Sequence, residues 1–233
     1  MQGALKNMSF PCFCAVCGKE LIPREKVICL SCLYDLPRTF FWTDKNNTLS
    51  CMFSGGLPFL YASAFLFFRD DSPYRKLLHR FKYGGEREIG FYLGTLYGKE
   101  LAVSPLKNSV PVIIPVPMTV QKRRRRGYNQ AEWFAAGIAA ATGWKMDTVA
   151  LKRVREKTSQ TVYDREQRRE NMKHAFTAAR VYYKDILIVD DVITTGATME
   201  SCACAILENN QDVLVHFASL AYVELKRIFA HYA

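Results

Sequence analysis

Two adjacent carboxylates, Asp190 and Asp191, are followed after two residues by a small, hydroxyl-rich run, Thr194-Thr195-Gly196-Ala197-Thr198. Paired carboxylates can accept hydrogen bonds from a sugar diol or hold Mg2+ through water. Small residues let backbone N–H groups converge, threonine hydroxyls add donors, and a helix starting in the run turns its positive end toward an anion. Gly196 puts no side chain in the way of a phosphate. Diol acceptors beside a phosphate cup match a ribose 5-phosphate. An ordinary strand–turn–helix with acidic residues at the strand end is the bland reading of the same residues.

A second constellation is Cys14-x-x-Cys17 and Cys29-x-x-Cys32, two pairs separated by eleven residues. Each pair can set two thiolates on one knuckle turn, and two knuckles complete a tetrahedral site for Zn2+. Gly18 permits the positive φ that such a turn needs. All four positions are sulfur, so no ligand place is left for water and the metal would be structural. A disulfide pairing fits an apparently cytosolic chain less well. Cys12 reads as a spare thiol; Cys51, Cys202 and Cys204 read as small core residues.

The formal net charge is +10 over 233 residues, and it is concentrated. Lys122-Arg123-Arg124-Arg125-Arg126 supplies +5, and Lys152 to Lys173 a further +4. Such focusing suits a phosphate, pyrophosphate or nucleic-acid backbone, with a solvated surface as the plain alternative. The four histidines, His79, His174, His216 and His231, fit neither a metal cluster nor a triad. Hydrophobic residues make up 49% of the chain, which excludes a disordered protein. Met1 to Cys12 lacks the apolar core of a signal peptide, and the uncharged stretch from Asn46 to Phe68 is broken by Gly55, Gly56 and Pro58. A soluble cytoplasmic protein without a membrane span is therefore expected.

These residues need elements to position them. The pattern predicts strands over 61–67, 112–116, 186–189 and 213–220, and helices over 73–81, 87–102, 129–141, 198–208 and 223–232. Asn129 is the predicted N-cap of its helix and Gly143 its stop. Strands alternating with helices imply an α/β fold with a parallel sheet covered on both faces. Ligands then bind at the carboxyl ends of the strands, where Asp190-Asp191 and Val116-Pro117 emerge. The stretch 40–56 reads as a linker, which divides the chain into a zinc-binding module with linker (1–55) and the α/β domain (56–233). Lys82 either points into the site or caps a helix end, and the second reading fits its place slightly better.

The strand–Asp-Asp–x–x–Thr-Thr-Gly-x-Thr arrangement resembles the phosphoribosyl pyrophosphate (PRPP) motif of type I phosphoribosyltransferases. That likeness implies a phosphoribosyltransferase-like sheet, with Asp190 and Asp191 on the ribose hydroxyls, Thr194 to Thr198 on the 5-phosphate, and Val116 and Pro117 in the pyrophosphate loop. Four cysteines, then Pro115-Val116-Pro117, then Arg125-Arg126-Gly127-Tyr128-Asn129-Gln130-Ala131, then Lys157-Thr158-x-Gln160, then the PRPP motif, together resemble the ComF family. This second resemblance spans Cys14 to about Leu220. It implies a part in natural transformation through the handling of single-stranded DNA, with a competence ATPase or helicase as a partner.

On this reading Lys122, Arg126 and Lys157 are the cations of a closing loop that would stabilise a departing pyrophosphate, with Mg2+ accompanying PRPP. Arg123, Arg124, Arg125 and Tyr128 are candidates for nucleic acid, the aromatic ring stacking on a base together with Trp133 and Tyr163. Three functions follow: phosphoribosyl transfer to an acceptor the sequence does not name, DNA handling through a PRPP-binding pocket, or PRPP binding without turnover.

Overall fold

The computed structural model describes residues 12–53, 59–109, 111–154, 175–210 and 212–223. The predicted C-terminal helix and the expected domain boundary near 55 lie outside those residues.

Four strands form the central sheet: β1 (Phe59–Phe68), β2 (Val112–Pro115), β5 (Asp185–Ile193) and β6 (Leu214–Val223). Their order is β1-β6-β5-β2, and every neighbouring pair is parallel. Two short strands, β3 (Leu151–Arg153) and β4 (Phe176–Ala178), pair antiparallel beside it.

Period-two alternation sends neighbouring strand residues to opposite faces. Ile113, Leu187 and Val189 pack on one face against α3 (Arg75–Tyr83), α4 (Arg87–Leu101) and α6 (Gln130–Thr142). Ile114, Ile186 and Ile188 pack on the other against α2 (Thr48–Phe53) and α7 (Ala197–Asn209). With apolar residues on both faces, the strands read as continuous hydrophobic runs. The α/β class with a helix-covered parallel sheet is thus as the pattern implies, and the four-cysteine cluster precedes it in the chain.

Helices α4 and α6 meet backbone to backbone. A Cβ on Gly94 would lie 2.1 Å from the Phe134 carbonyl oxygen, and one on Gly137 would lie 2.1 Å from that of Phe91.

Cys14, Val16, Ile28 and Leu36 share one core with Leu77, Phe81 and Leu93. Tyr74 donates from its hydroxyl to the Cys32 carbonyl at 2.8 Å. The chain from Pro37 to Thr39 runs beside β1, with Phe67 N–H donating to the Pro37 carbonyl at 2.7 Å and Thr39 N–H to that of Phe65 at 3.0 Å. The strand that would otherwise be an open edge is covered.

Several expectations are corrected here. The stretch 40–56 is not a bare linker: it holds a 3-10 turn (Phe41–Thr43) and α2, with Leu49 and Phe53 buried. Asn47 fixes it by donating to the Ala62 carbonyl at 2.9 Å, which outweighs the turn-forming composition of Asp44, Asn46 and Asn47. The strand read as 186–189 extends through Ile193, so Asp190 and Asp191 belong to the strand itself. Lys122 to Arg126 lie in a helix, α5 (Val120–Arg126), and not in a loop, capped by Thr119 at one end and by Gly127 at φ +82° at the other. Cys51 is exposed, whereas Cys202 is buried as expected.

Candidate functional site

The carboxyl end of β5 carries the acidic pair. Asp191 donates its N–H to Asp190 Oδ1 at 2.8 Å. Burial, and then the charge of Asp191, push the Asp190 carboxyl from its ordinary 3.8 up to about 8. Two carboxylates this close cannot both ionise freely in a poorly hydrated pocket. Lys82 supplies a partner: its Nζ lies 3.2 Å from Asp191 Oδ2, with side chains 22% and 18% exposed. The side chain thus points into the site and does not cap α3, contrary to the favoured reading of the sequence.

Beyond β5, Thr194 and Thr195 are exposed, and Ala197 and Thr198 open α7 half-buried. Gly196 is buried with φ +77°. The volume a side chain would need there is taken by Phe53, 2.6 Å from an ideal Cβ, and by Met52 at 3.3 Å. Glycine is therefore required on the packing side of the turn as well as by its left-handed backbone. Thr194 and Thr195, in contrast, are exposed beside the first turn of a 13-residue helix.

The loop leaving β2 sits beside the acids. Val116 donates its N–H to the Val189 carbonyl at 2.8 Å, one residue before Asp190. Pro117 follows, half-buried. The Val116 carbonyl accepts from Asn129 Nδ2 at 3.0 Å.

From Arg126 to Gln130 the chain ties this loop to the end of α3. Tyr128 donates its hydroxyl to the Phe81 carbonyl, and Gln130 Nε2 donates to that of Lys82 at 3.3 Å. Arg126 donates to Gln130 Oε1 at 3.1 Å and lays its guanidinium 5.1 Å from the centre of the Tyr83 ring. Tyr128 is buried, and this corrects its proposed use as a stacking surface for bases: the ring packs against Phe81. Half-buried Trp133 carries Arg87 over its ring at 4.7 Å. Arg123 is paired with Glu132 at 3.4 Å. Lys122, Arg124 and Arg125 are exposed and make no ion pair among the described residues. Lys157 and Tyr163 lie outside the described residues, but the strands on either side are paired, with Arg153 opposite Phe176.

The four Sγ atoms of Cys14, Cys17, Cys29 and Cys32 lie within 4.8 Å of one another. Cys17 and Cys29 are 3.7 Å apart, against about 3.8 Å between sulfurs in a tetrahedral zinc–thiolate site. Burial raises the Cys14 thiol, but the N–H groups of Cys17, Cys29 and Val16 outweigh it and bring the pKa down to about 6. Burial and the neighbouring thiols push Cys32 up strongly. A cluster in which the Cys14 thiolate forms easily while the Cys29 and Cys32 thiols are held up is compatible with a structural zinc bound by the four sulfurs.

His216 is a core residue, as expected, with Nε2 3.2 Å from Asp185 Oδ1 at the strand end opposite the site.

The site thus combines a cation-partnered diacid, a hydroxyl-bearing turn at a helix start, and an adjacent β2 loop. It offers acceptors for vicinal hydroxyls and donors for an anion a short distance away. A protein of Salmonella typhi named DNA utilization protein YhgH is 30% identical over 141 residues, covering 59% of this chain and 62% of that one. The Competence protein F of Haemophilus influenzae is 33% identical over 136 residues, covering 54% and 58%. The chain therefore matches about three fifths of the length of these relatives, and the resemblance to the ComF family read from the motifs is borne out by them. No protein-family model matches. A solved structure titled as the allosteric regulatory enzyme of purine biosynthesis overlays with a TM-score of 0.37 at 20% identity, over 60% of this chain and 29% of that one. An overlay this partial carries no weight for the chemistry. No helix among the described residues is long and apolar enough to cross a membrane.

Proposed function

We propose that this chain binds PRPP at the carboxyl end of β5 and acts in the handling of DNA taken up by the cell. The observation that carries the ligand is the pairing of Asp190-Asp191 with the exposed Thr194 and Thr195 on one strand–turn–helix, with Lys82 against the acids. Asp190 and Asp191 would accept from the ribose hydroxyls, Thr194 to Thr198 would hold the 5-phosphate, and Val116-Pro117 would border the pyrophosphate. The same two acids would hold Mg2+ through water, which supplies countercharge for the pyrophosphate. A zinc ion held by Cys14, Cys17, Cys29 and Cys32 would be structural, with the α/β domain following it.

The biological half of the proposal rests on the relatives' names and on the basic helix. Lys122, Arg124 and Arg125 are exposed on α5 and make no ion pair among the described residues, which favours a phosphate backbone as a second ligand. A competence ATPase or helicase is the partner that the resemblance implies, in the cytoplasm.

Calorimetric titration with PRPP and Mg2+, on the native chain and on the Asp190→Ala/Asp191→Ala variant, tests the ligand. Saturable binding lost in the variant supports it, and unchanged binding removes it. Pyrophosphate release with a panel of bases and amines then separates a transferase from a binding protein.

A further inference from the structure

Lys82 lies outside every sequence motif of the site, yet it reaches the acidic pair. Its Nζ lies 3.2 Å from Asp191 Oδ2, and both side chains are largely shielded from water. An ion pair in such a place adds little net stability, because desolvating both charges offsets most of their attraction. Its position is nonetheless strongly enforced. The carbonyls of Phe81 and Lys82 accept from Tyr128 and Gln130, and the Tyr83 ring lies under Arg126. Three consecutive residues are gripped, so the ammonium is delivered to one spot.

The direction of approach indicates its use. Helix α3 packs on one face of the sheet and α7 on the other. Lys82 therefore comes over the rim from the face opposite to the helix whose first turn carries Ala197 and Thr198. In a ribose 5-phosphate derivative the two ring hydroxyls lie between the 5-phosphate and the substituent on C1. With the diol on Asp190 and Asp191 and the 5-phosphate at the Thr194–Thr198 turn, the C1 substituent falls on the side of Lys82 and of the Val116-Pro117 loop. We infer that Lys82 is a ligand-binding residue whose ammonium turns from Asp191 to an anionic group on C1, so that the site distinguishes a C1 pyrophosphate from a free C1 hydroxyl. This rests on the phosphoribosyl reading above.

The test compares PRPP with ribose 5-phosphate, each titrated with Mg2+ into the native chain, Lys82→Met and Lys82→Arg. Loss of a charge-assisted hydrogen bond should weaken PRPP by about 10- to 100-fold in Lys82→Met. Ribose 5-phosphate, which lacks the C1 anion, should change by no more than about twofold, and its binding also reports that the variant is folded. Lys82→Arg should recover part of the loss. Equal weakening of both ligands would reduce Lys82 to a support for Asp191 and overturn the inference, as would unchanged PRPP binding. If Lys82→Met does not fold, a native chain that binds the two ligands equally overturns it just as well. Native protein that binds neither ligand defeats the phosphoribosyl reading itself, and the inference with it.

Discussion

Asn129 holds the loop after β2 and the start of α6 with a single side chain: Nδ2 donates to the Val116 carbonyl at 3.0 Å while Oδ1 accepts from Ala131 N–H at 3.1 Å. Asn129→Ala removes a cap and leaves a buried carbonyl without its donor. The expected loss is about 2–3 kcal/mol, read as a lower urea midpoint at unchanged slope. Asn129→Ser keeps the cap but cannot reach Val116, so it should lose less. Equal losses would mean that the cap contributes nothing.

Gly196 faces two constraints, φ +77° and the Phe53 ring 2.6 Å from where a Cβ would stand. Gly196→Ala should cost about 1–3 kcal/mol in chemical denaturation. In a Phe53→Leu background the added cost should shrink without vanishing, because the backbone strain persists. A double-mutant cycle measures the coupling, and a coupling of zero would show that the ring yields freely.

Asp190 predicts a pH dependence. Its carboxyl is pushed up to about 8 by burial and by Asp191, from an ordinary 3.8. A group that holds its proton more tightly when folded contributes stability below the unfolded pKa and loses it as pH rises through the folded one. The ligand-free chain should therefore lose stability from this group between about pH 4 and 8. Asp190→Asn should flatten that part of a Tm profile and raise Tm at pH 8. Parallel profiles would mean that Asp190 is already ionised at neutral pH.

Removal of the proposed zinc should unsettle more than the cysteine segment. Cys14 and Ile28 share a core with Leu77 and Phe81, and Tyr74 is bonded to the Cys32 carbonyl. Release of zinc by a mercurial, followed with a chromogenic chelator, should lower the main Tm by about 10 °C or more. An unmoved main transition would detach the cluster from the cooperative unit.

For nucleic acid, replacing Lys122, Arg124 and Arg125 together by Ala should make the salt dependence of single-stranded DNA binding shallower, by about two in log–log slope. An unaltered slope would leave these cations as a solvated surface.

The residues of the candidate site are largely legible in the sequence. The Asp190-Asp191 pair, the threonine–glycine turn, the two cysteine pairs, the Asn129 cap and the Gly143 stop are local signals, because each depends on residues a few positions apart. So is the alternation of strands and helices, which fixes the parallel sheet. The sequence also holds Gly94 and Gly98 at one helical face, the mark of the close approach of α4 to α6, while Gly90 one turn earlier makes room for the Phe81 ring of α3.

Tertiary structure decided what local signals could not. Turn-forming composition marks 40–56 as a linker, but Asn47 and Phe53 find partners 15 residues and more away and pack that stretch onto the sheet. A run of five cations reads as a loop closing over an anion, yet capping by Thr119 and Gly127 makes it a helix, and Arg126 is spent on Tyr83 and Gln130. Tyr128 looks like a base-stacking ring in the sequence and is a buried tie to Phe81 in the fold. Lys82 belongs to the site only because contacts from residues 43 to 48 positions along the chain hold the end of α3 over the acids. Residue type and spacing determine which groups are available, and long-range packing determines which of them meet.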